Sequence, residues 1–351
     1  MRSLGENKTI VLDPSLFPAA PDTGFRIDGV LKRALSDGAT SVLPLGNDRL
    51  LAVTEDLRKD DVLTSSLAVF DVTAGRSETI LTDTSLRSYA LSPDKSTLVY
   101  HTGFEADNKT VWYDLKNMRE KDSRLNYDES WEAWRYMVDD DRALEVDGQK
   151  VVLRDLRGGQ PDRVVVTMSD LDLYLNGGKK NAGYLSGKPL ALVPSSDFKR
   201  VYMQYFRPDL KQSVFLSVDA TSGDIAWAGA GEIQAFAPLR NGGLLLAGSI
   251  DGVEGLYGAD GSRKPVLLAE GTYTKLAVNP ARDVIAYVKT DSDGHQNVMV
   301  GRLSGNELTD EFNVYYVPNF VRSLDWSPEG EMLFGVTEGV GGSEVYRFEL
   351  H

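Results

Sequence analysis

Short apolar runs, rich in β-branched and aromatic residues, recur along the whole chain and are separated by polar turns. Seven of them share one pattern and begin 48, 45, 58, 43, 41 and 47 residues apart. They occupy residues 49–54, 97–102, 142–147, 200–206, 243–249, 284–290 and 331–337. Runs of this length and composition are typical of buried β-strands. Their spacing predicts an internal repeat with one such strand in each copy.

Each run is flanked by the signals of neighbouring strands. A turn rich in Pro, Asp, Asn or Gly precedes it, as at 46–48 and 92–95, and a third strand follows it, as at 67–71 and 298–302. These turn residues favour hairpins. A fourth strand follows in most copies, and a four-stranded unit of about 40 to 50 residues is typical of one propeller blade. The sequence therefore predicts an all-β fold, a seven-bladed β-propeller.

The repeat also predicts the domain organisation, a single domain over residues 1–351. The blades are expected at about 40–84, 88–130, 132–169, 189–231, 233–271, 274–318 and 322–350. The seventh copy ends at His351, directly after its third strand. We expect the strand at 8–13 to complete that blade and close the propeller, because an unpaired edge invites aggregation. Residues 14–39 would then be a connector.

The longest interval between copies contains residues 169–188, including the tract Gly-Gly-Lys-Lys at 177–180. A repeat protein often places function in a loop that is longer than its equivalents. An inert surface excursion explains the same loop equally well.

Three turns carry a resemblance to a known family. Ser-Pro-Asp at 92–94 and Ser-Pro-Glu-Gly at 327–330 each precede an apolar run, and Asn-Pro at 279–280 is a degenerate third copy. These turns resemble the repeat of the bacterial TolB-like propellers, a WD40-like (PD40) family; the other four blades lack the motif. The resemblance implies a propeller fold, a place in the bacterial cell envelope, and binding of proteins, peptides or glycans.

Composition and charge narrow the partners. The formal net charge is −14 and the sequence pI is about 4.8, so the surface would repel nucleic acids and anionic lipids. The chain has no cysteine, which excludes disulfides and thiolate sites. Residues 1–13 lack the apolar core of a signal peptide. We expect an extracytoplasmic location if a signal or anchor has been removed, and a cytoplasmic one otherwise.

The sequence offers few groups for catalysis. It lacks a Gly-x-Ser-x-Gly motif and has only three histidines, which argues against a serine hydrolase or a histidine metal site. Asp291, Asp293 and His295 lie in one polar loop that partly resembles a calcium loop; a solvated turn is the default interpretation. The Asp-Asp-Asp run at 139–141 is interpreted as a hydrated hairpin turn. We expect no metal, no cofactor and no catalytic residue.

The binding candidates lie on loops and blade entries. Trp131 is an aromatic residue that could contact a partner, whereas Trp134 is expected in the core. Tyr184 and Arg207 lie in two of the long loops and join Asp291, Asp293 and His295 as candidate binding residues.

The function predicted from these features is a non-catalytic binding or scaffolding module for a protein or peptide partner. Its binding face would carry the loops between second and third strands and the connections between blades, including 55–65, 103–109, 169–188, 207–211 and 291–296. The alternative is a lactonase- or lyase-type propeller enzyme with a divalent cation in its channel, for which Glu132 and Asp325 are the inner-strand carboxylates. A monomer is the default expectation.

Overall fold

The computed structural model describes residues 23–35, 39–57, 63–86, 88–103, 107–125, 134–178, 189–195, 197–208, 211–259, 264–305, 307–317, 320–339 and 342–351. Apart from one short helix, the regular structure in these residues is antiparallel β-sheet. Among the described segments, no helix is long and apolar enough to cross a membrane.

The elements follow one another along the chain as short strands joined by turns and loops. The first half contains β1 (Ile27–Ala34), β2 (Ala39–Pro44), β3 (Arg49–Leu57), β4 (Leu63–Asp71), β5 (Arg76–Asp83), β6 (Ser88–Leu91), β7 (Thr97–Thr102), β8 (Lys109–Asp114), β9 (Arg119–Leu125), β10 (Trp134–Met137), β11 (Arg142–Asp147), β12 (Lys150–Asp155), β13 (Arg163–Thr167) and α1 (Met168–Leu175). The second half contains β14 (Ala191–Pro194), β15 (Arg200–Arg207), β16 (Gln212–Asp219), β17 (Ile225–Pro238), β18 (Leu244–Ile250), β19 (Val253–Ala259), β20 (Val266–Glu270), β21 (Thr272–Val278), β22 (Val284–Thr290), β23 (Gln296–Ser304), β24 (Glu307–Val317), β25 (Phe320–Trp326), β26 (Met332–Gly339) and β27 (Gly342–Leu350).

The chain divides into two compact units. Unit 1 comprises residues 1–84, 254–256 and 268–351, and unit 2 comprises residues 85–253 and 257–267. Unit 1 contains three four-stranded sheets with the orders β2-β3-β4-β5, β21-β22-β23-β24 and β1-β27-β26-β25. In the described residues, core clusters lie between successive sheets, such as one around Trp326 and Phe348 and another around Leu50 and Phe334.

Unit 2 contains the sheets β6-β7-β8-β9 and β10-β11-β12-β13 and most of a seven-stranded sheet with the order β14 to β20. Its core clusters again lie between successive groups of strands, and the largest one joins β11–β13 and α1 to β14–β16. Central strands such as β7 and β18 are buried on both faces, whereas the outer strand β9 is exposed along its whole length.

The prediction of seven separate blades is wrong. The structure has five separate four-stranded blades, and the remaining strands form the continuous seven-stranded sheet. The cause is β17, whose first half pairs with β16 and whose second half pairs with β18. Its sequence contains no Pro, Asn or Asp before Pro238 that would interrupt it. Gly231 suits its middle, because a Cβ there would lie 2.3 Å from the carbonyl oxygen of Ser249.

The predicted closure is also corrected. The edge of β27 pairs with β1, from Ile27 opposite Leu350 to Ala34 opposite Glu344. This strand lies in the segment 14–39 that was expected to be a connector, and it takes the edge assigned to residues 8–13, which lie outside the described residues. An N-terminal strand does complete the last sheet, but it is a different one.

One further segment departs from an all-β interpretation. The helix α1 begins at Met168, just before the predicted loop 169–188, and extends into it; Thr167 and Asp170 form a capping box at its start. Leu171 on this helix is fully buried against the core of unit 2.

Candidate functional site

A groove of about 870 Å³ in unit 2 is the candidate functional site. Three hairpin turns of two neighbouring sheets form it: the β6–β7 turn, the β10–β11 turn and the β12–β13 turn. We call it the acidic groove; its lining residues are Pro93, Asp94, Val138, Asp139, Asp140, Asp141, Arg142, Asp155, Arg157, Gly159 and Gln160.

The β6–β7 turn is built around two side chains, Asp94 and Ser92. The Asp94 carboxylate accepts hydrogen bonds from the Ser92 hydroxyl at 2.6 Å and from the amide and hydroxyl of Ser96 at 3.0 and 2.8 Å. The buried Ser92 hydroxyl in turn accepts the amide of Thr97 at 2.9 Å. The hydrogen bond from Ser92, with those from Ser96, lowers the pKa of Asp94 despite an opposing effect of burial. The motif therefore fixes the turn and presents an ionised carboxylate to the groove.

The other two turns use aspartates in the same way. Asp139 accepts the amides of Asp141 and Arg142 at 3.0 and 2.8 Å and pairs with the Arg142 guanidinium at 2.6 Å. Asp155 accepts the amides of Arg157 and Gln160 at 2.9 and 2.6 Å. Burial alone would raise the pKa of both carboxyls, but these hydrogen bonds outweigh it and the pKa of each is lowered.

Arg157 and Trp112 join the two sheets beside the groove. The guanidinium donates to Asp141 and to Asp122, each at 2.5 Å, and lies 4.6 Å from the centroid of the Trp112 ring. The hydrogen bonds to the two carboxylates raise the pKa of Arg157. The Trp112 indole N–H donates to the Asp140 carbonyl at 2.8 Å. Arginine is thus already bound here by an aromatic face and two carboxylates.

The Asp140 carboxylate is an exposed charge of the groove with one long ion pair. It is 56% exposed, and the ammonium group of Lys121 lies 3.9 Å away. The lining as a whole contains five carboxylates and two guanidinium groups. Because the pKa of Asp94, Asp139 and Asp155 is lowered, these groups stay ionised at neutral pH and are poor proton donors. The arrangement suits the binding of cations rather than acid–base catalysis.

Three of the predicted site residues lie together at the β22–β23 turn in unit 1. Asp291 Oδ1 accepts the amides of Asp293 and His295 at 3.0 and 2.9 Å, and Asp291 Oδ2 lies 3.6 Å from His295 Nδ1. One possible ligand atom from each of the three residues lies within 4.8 Å of the others, and all three residues are exposed. The hydrogen bond from the His295 amide lowers the pKa of Asp291. The contacts are those of a solvated turn.

Arg207 is the remaining predicted binding residue that the structure describes. Arg207 ends β15 and is only 8% exposed, so it is not presented on a loop as expected. Trp131 and Tyr184 lie outside the described residues, as does Glu132 of the enzyme alternative. Asp325, the other inner-strand carboxylate of that alternative, is exposed on β25.

Sequence reasoning missed the acidic groove, although it noted two of its parts. The run at 139–141 and the Ser-Pro-Asp turn at 92–94 were interpreted separately, as two hairpins. The available signal was that both turns, and the one beginning at Asp155, occupy equivalent ends of neighbouring antiparallel sheets. This is the end opposite the second-to-third-strand loops on which binding was expected.

Comparisons with known proteins identify the fold class. No protein-family model and no curated protein matches the sequence. The β-propeller domain of Cps50 (Swd1) from Myceliophteria thermophila is 11% identical, with a TM-score of 0.54 over 93% of this chain and 99% of that one. A chain of the mitotic checkpoint complex is 12% identical, with a TM-score of 0.55 over 96% and 99%. The β-propeller domain of the Trilobed protease from Pyrococcus furiosus is 10% identical, with a TM-score of 0.55 over 91% and 95%. At these identities the likeness establishes the fold alone: the chain is a β-propeller similar to WD40-type propellers.

Proposed function

We propose that the protein is a non-catalytic binding module that docks a positively charged segment of a protein partner in the acidic groove. The observation that carries the proposal is the excess of ionised carboxylates over guanidinium groups in a concave site. Complementary charge accelerates encounter and selects partners. An extracytoplasmic location at a bacterial envelope stays a prediction from the sequence resemblance.

The groove already contains the chemistry that such a segment would use. Arg157 is held by an aromatic ring and two carboxylates, and an arginine or lysine of a partner would find further carboxylates at Asp140 and Asp94. The exposed Asp140 carboxylate is the natural first contact. Each such exposed ion pair contributes up to about 1 kcal/mol, so binding would need several of them along the groove.

The same contacts argue against catalysis by these carboxylates. A general acid at neutral pH needs a raised pKa, whereas the pKa of Asp94 and of Asp155 is lowered by hydrogen bonds within their turns. Their oxygens are already engaged by backbone amides. We therefore assign them to holding the turns and carrying charge.

The test uses a fluorescein-labelled peptide of alternating Arg and Gly, with a citrulline peptide of equal length as the neutral control. Fluorescence anisotropy should detect binding of the arginine peptide that weakens as NaCl is raised from 50 to 200 mM. Asp140→Asn should weaken binding about two- to five-fold, and Asp94→Asn should act in the same direction.

The matched control is Asp224→Asn, which neutralises an exposed aspartate in the β16–β17 turn outside the groove. It should leave the affinity unchanged apart from a small effect of net charge. Equal affinities for the arginine and citrulline peptides, or equal losses in all three variants, would refute the groove as the site.

A further inference from the structure

Two large aromatic side chains, four residues apart in sequence, are exposed in unit 1. Tyr316 near the end of β24 is 49% exposed, and Phe320 at the start of β25 is 56% exposed. The His295 ring lies 5.4 Å from the Tyr316 ring. We call these three residues the aromatic patch. Aromatic residues are enriched where proteins bind one another.

Strand alternation explains why these side chains point outward. Tyr315 packs inward, with its ring 4.9 Å from Tyr346 and 5.7 Å from Phe348. The next residue, Tyr316, therefore faces away from that core. In the same way Val321 is buried and its neighbour Phe320 is exposed. Both rings therefore lie on the surface.

Backbone contacts hold the patch together. Tyr316 lies opposite Asn297 in the β23–β24 ladder, which places it beside the turn that carries His295. The side-chain oxygen of Gln296 accepts the amide of Val321 at 2.9 Å, which ties the start of β25 to the same turn. The patch is thus supported by two sheets rather than by a free loop.

The charge beside the patch is negative. Within the described parts of the chain, neither Asp291 nor Asp293 forms an ion pair with a lysine or an arginine. The pKa of Asp291 is lowered by the His295 amide, so its carboxylate is ionised. On the other side, the Lys275 ammonium lies 5.8 Å from the centroid of the Phe320 ring, at the limit of a cation–π contact. The uncompensated charge is therefore on the side of the turn.

We infer that the aromatic patch, with Asp291 and Asp293, docks a partner segment in which an arginine stands next to an aromatic residue. The aromatic side chain would cover Tyr316 and Phe320, and the guanidinium would pair with the two carboxylates. This surface is separate from the acidic groove, and the inference does not depend on the function proposed for the groove. The turn supplies three candidate donors and Asp291 Oδ1 already accepts two amides, a poorer set than the six to eight oxygens that calcium takes.

His295 provides a local reporter, since the chain has only three histidines. The imidazole C–H signals would be recorded by NMR in EDTA, with His295→Gln identifying the signal of the patch. The probe is the dipeptide acetyl-Phe-Arg-amide, and acetyl-Phe-Glu-amide is the charge-reversed control. We expect a saturable shift of the His295 signal with the arginine dipeptide and little shift with the glutamate dipeptide.

Variants separate the two parts of the patch. Asp293→Asn should weaken the arginine dipeptide about two- to five-fold, because it removes one exposed charge. Tyr316→Ala should weaken binding of the arginine dipeptide, because the contact with the ring is lost. Asp140→Asn, in the acidic groove, should leave the shift of the His295 signal unchanged. Circular dichroism checks that each variant is folded; the β23–β24 ladder keeps the Tyr316→Ala backbone in place.

Three results would overturn the inference. One is the absence of a saturable shift of the His295 signal with acetyl-Phe-Arg-amide. Another is an equal response to both dipeptides, which would show that charge has no part in binding. The third is a saturable shift of the His295 signal with calcium chloride in the absence of EDTA, with no response to the arginine dipeptide. That result would show that the turn binds a cation instead.

Discussion

Replacing Gly330 by alanine tests how neighbouring sheets are joined in unit 1. Gly330 lies in the β25–β26 turn with φ +75°, and a Cβ there would be 2.4 Å from Oδ1 of Asn279. Asn279 is 1% exposed and belongs to the β21–β22 turn. Its amide donates to the Gly330 carbonyl at 2.8 Å, and its Oδ1 accepts the amides of Ala281 and Arg282, each at 2.9 Å. The new methyl group would displace a buried side chain that closes its own turn.

The expected loss has two parts. An alanine in the left-handed region costs about 1 kcal/mol. Displacing Asn279 breaks hydrogen bonds in a buried place, which costs about 1–3 kcal/mol. Gly330→Ala should therefore lower the free energy of unfolding by about 2–4 kcal/mol. Gly252→Ala is the matched control, because Gly252 has φ +82° with nothing within 4 Å of a Cβ. It should lose only about 1 kcal/mol.

Urea unfolding at 25 °C, followed by far-UV circular dichroism, measures these losses. The double variant Gly330→Ala/Asn279→Ala isolates the crowding by Asn279: without that side chain, the added cost of Gly330→Ala should fall toward that of Gly252→Ala, with the Cβ of Ala281 still 3.1 Å away. Equal losses for Gly330→Ala and Gly252→Ala in the native background would refute the reasoning. A cost of Gly330→Ala that is unchanged by Asn279→Ala would refute it as well.

Three more expectations follow from the described contacts. Arg33→Met should lower the free energy of unfolding, measured in urea, by about 2–3 kcal/mol. The reason is that the buried guanidinium on β1 donates to two carbonyls of the β4–β5 turn at 2.9 and 2.8 Å. An equal loss in Lys32→Met, on the same strand, would contradict this. Lys95 has φ 60°, in the left-handed region that glycine adopts without strain. Lys95→Gly should therefore raise the free energy of unfolding by about 0.5 kcal/mol. A lower urea midpoint for this variant would exclude relief of strain. The pKa of Asp94 and of Asp155 is lower in the folded protein than the unfolded value of about 3.9, so their ionised forms stabilise the fold at pH values above about 3.9. This stabilisation is lost as the pH falls through the folded-state pKa values. Thermal unfolding between pH 2 and 6 should show that loss, and a less steep one in Asp94→Asn; identical profiles would contradict it.

The repeated strands were predictable because they follow from local chemistry. Each of the seven apolar runs lies in or overlaps a strand, since β-branched side chains alternating between two packed faces specify a strand locally. The fusion of two blades through β17 was not predictable from those runs, because it depends on how closely Ser249 approaches Gly231. The capping box at Thr167 and Asp170 was a readable signal for α1 that the strand pattern concealed.

The closing strand shows a different limit of the sequence. Residues 8–13 have the stronger apolar run, whereas β1 reads Ile-Asp-Gly-Val-Leu-Lys-Arg-Ala and looks like a connector. An outer strand pairs along one edge only and tolerates polar side chains, so apolar content is a poor guide to it. What selects β1 is its fit to β27 and the reach of Arg33 into the next sheet, and both depend on tertiary structure.

Some of the candidate site residues could be predicted from the sequence and others could not. Asp291, Asp293 and His295 were predictable together, because residues four apart in a turn are close in any fold. Tyr316 and Phe320 were missed, since only the pairing of β24 with β23 brings Tyr316 beside His295.

The acidic groove links the folding of the hairpins to the charge of the surface. Asp94, Asp139 and Asp155 each accept backbone amides that close a turn; one oxygen accepts them in Asp94 and in Asp139, whereas both oxygens of Asp155 do so. Their negative charge strengthens these hydrogen bonds, as the lowered pKa of each carboxyl shows, and it accumulates where turns of neighbouring sheets meet. Asparagine retains the accepting oxygen and removes the charge, whereas alanine removes both. At Asp94 and Asp139, Asn variants should therefore weaken cation binding with a smaller loss of stability than Ala variants, which should lose about 1 kcal/mol for each lost cap.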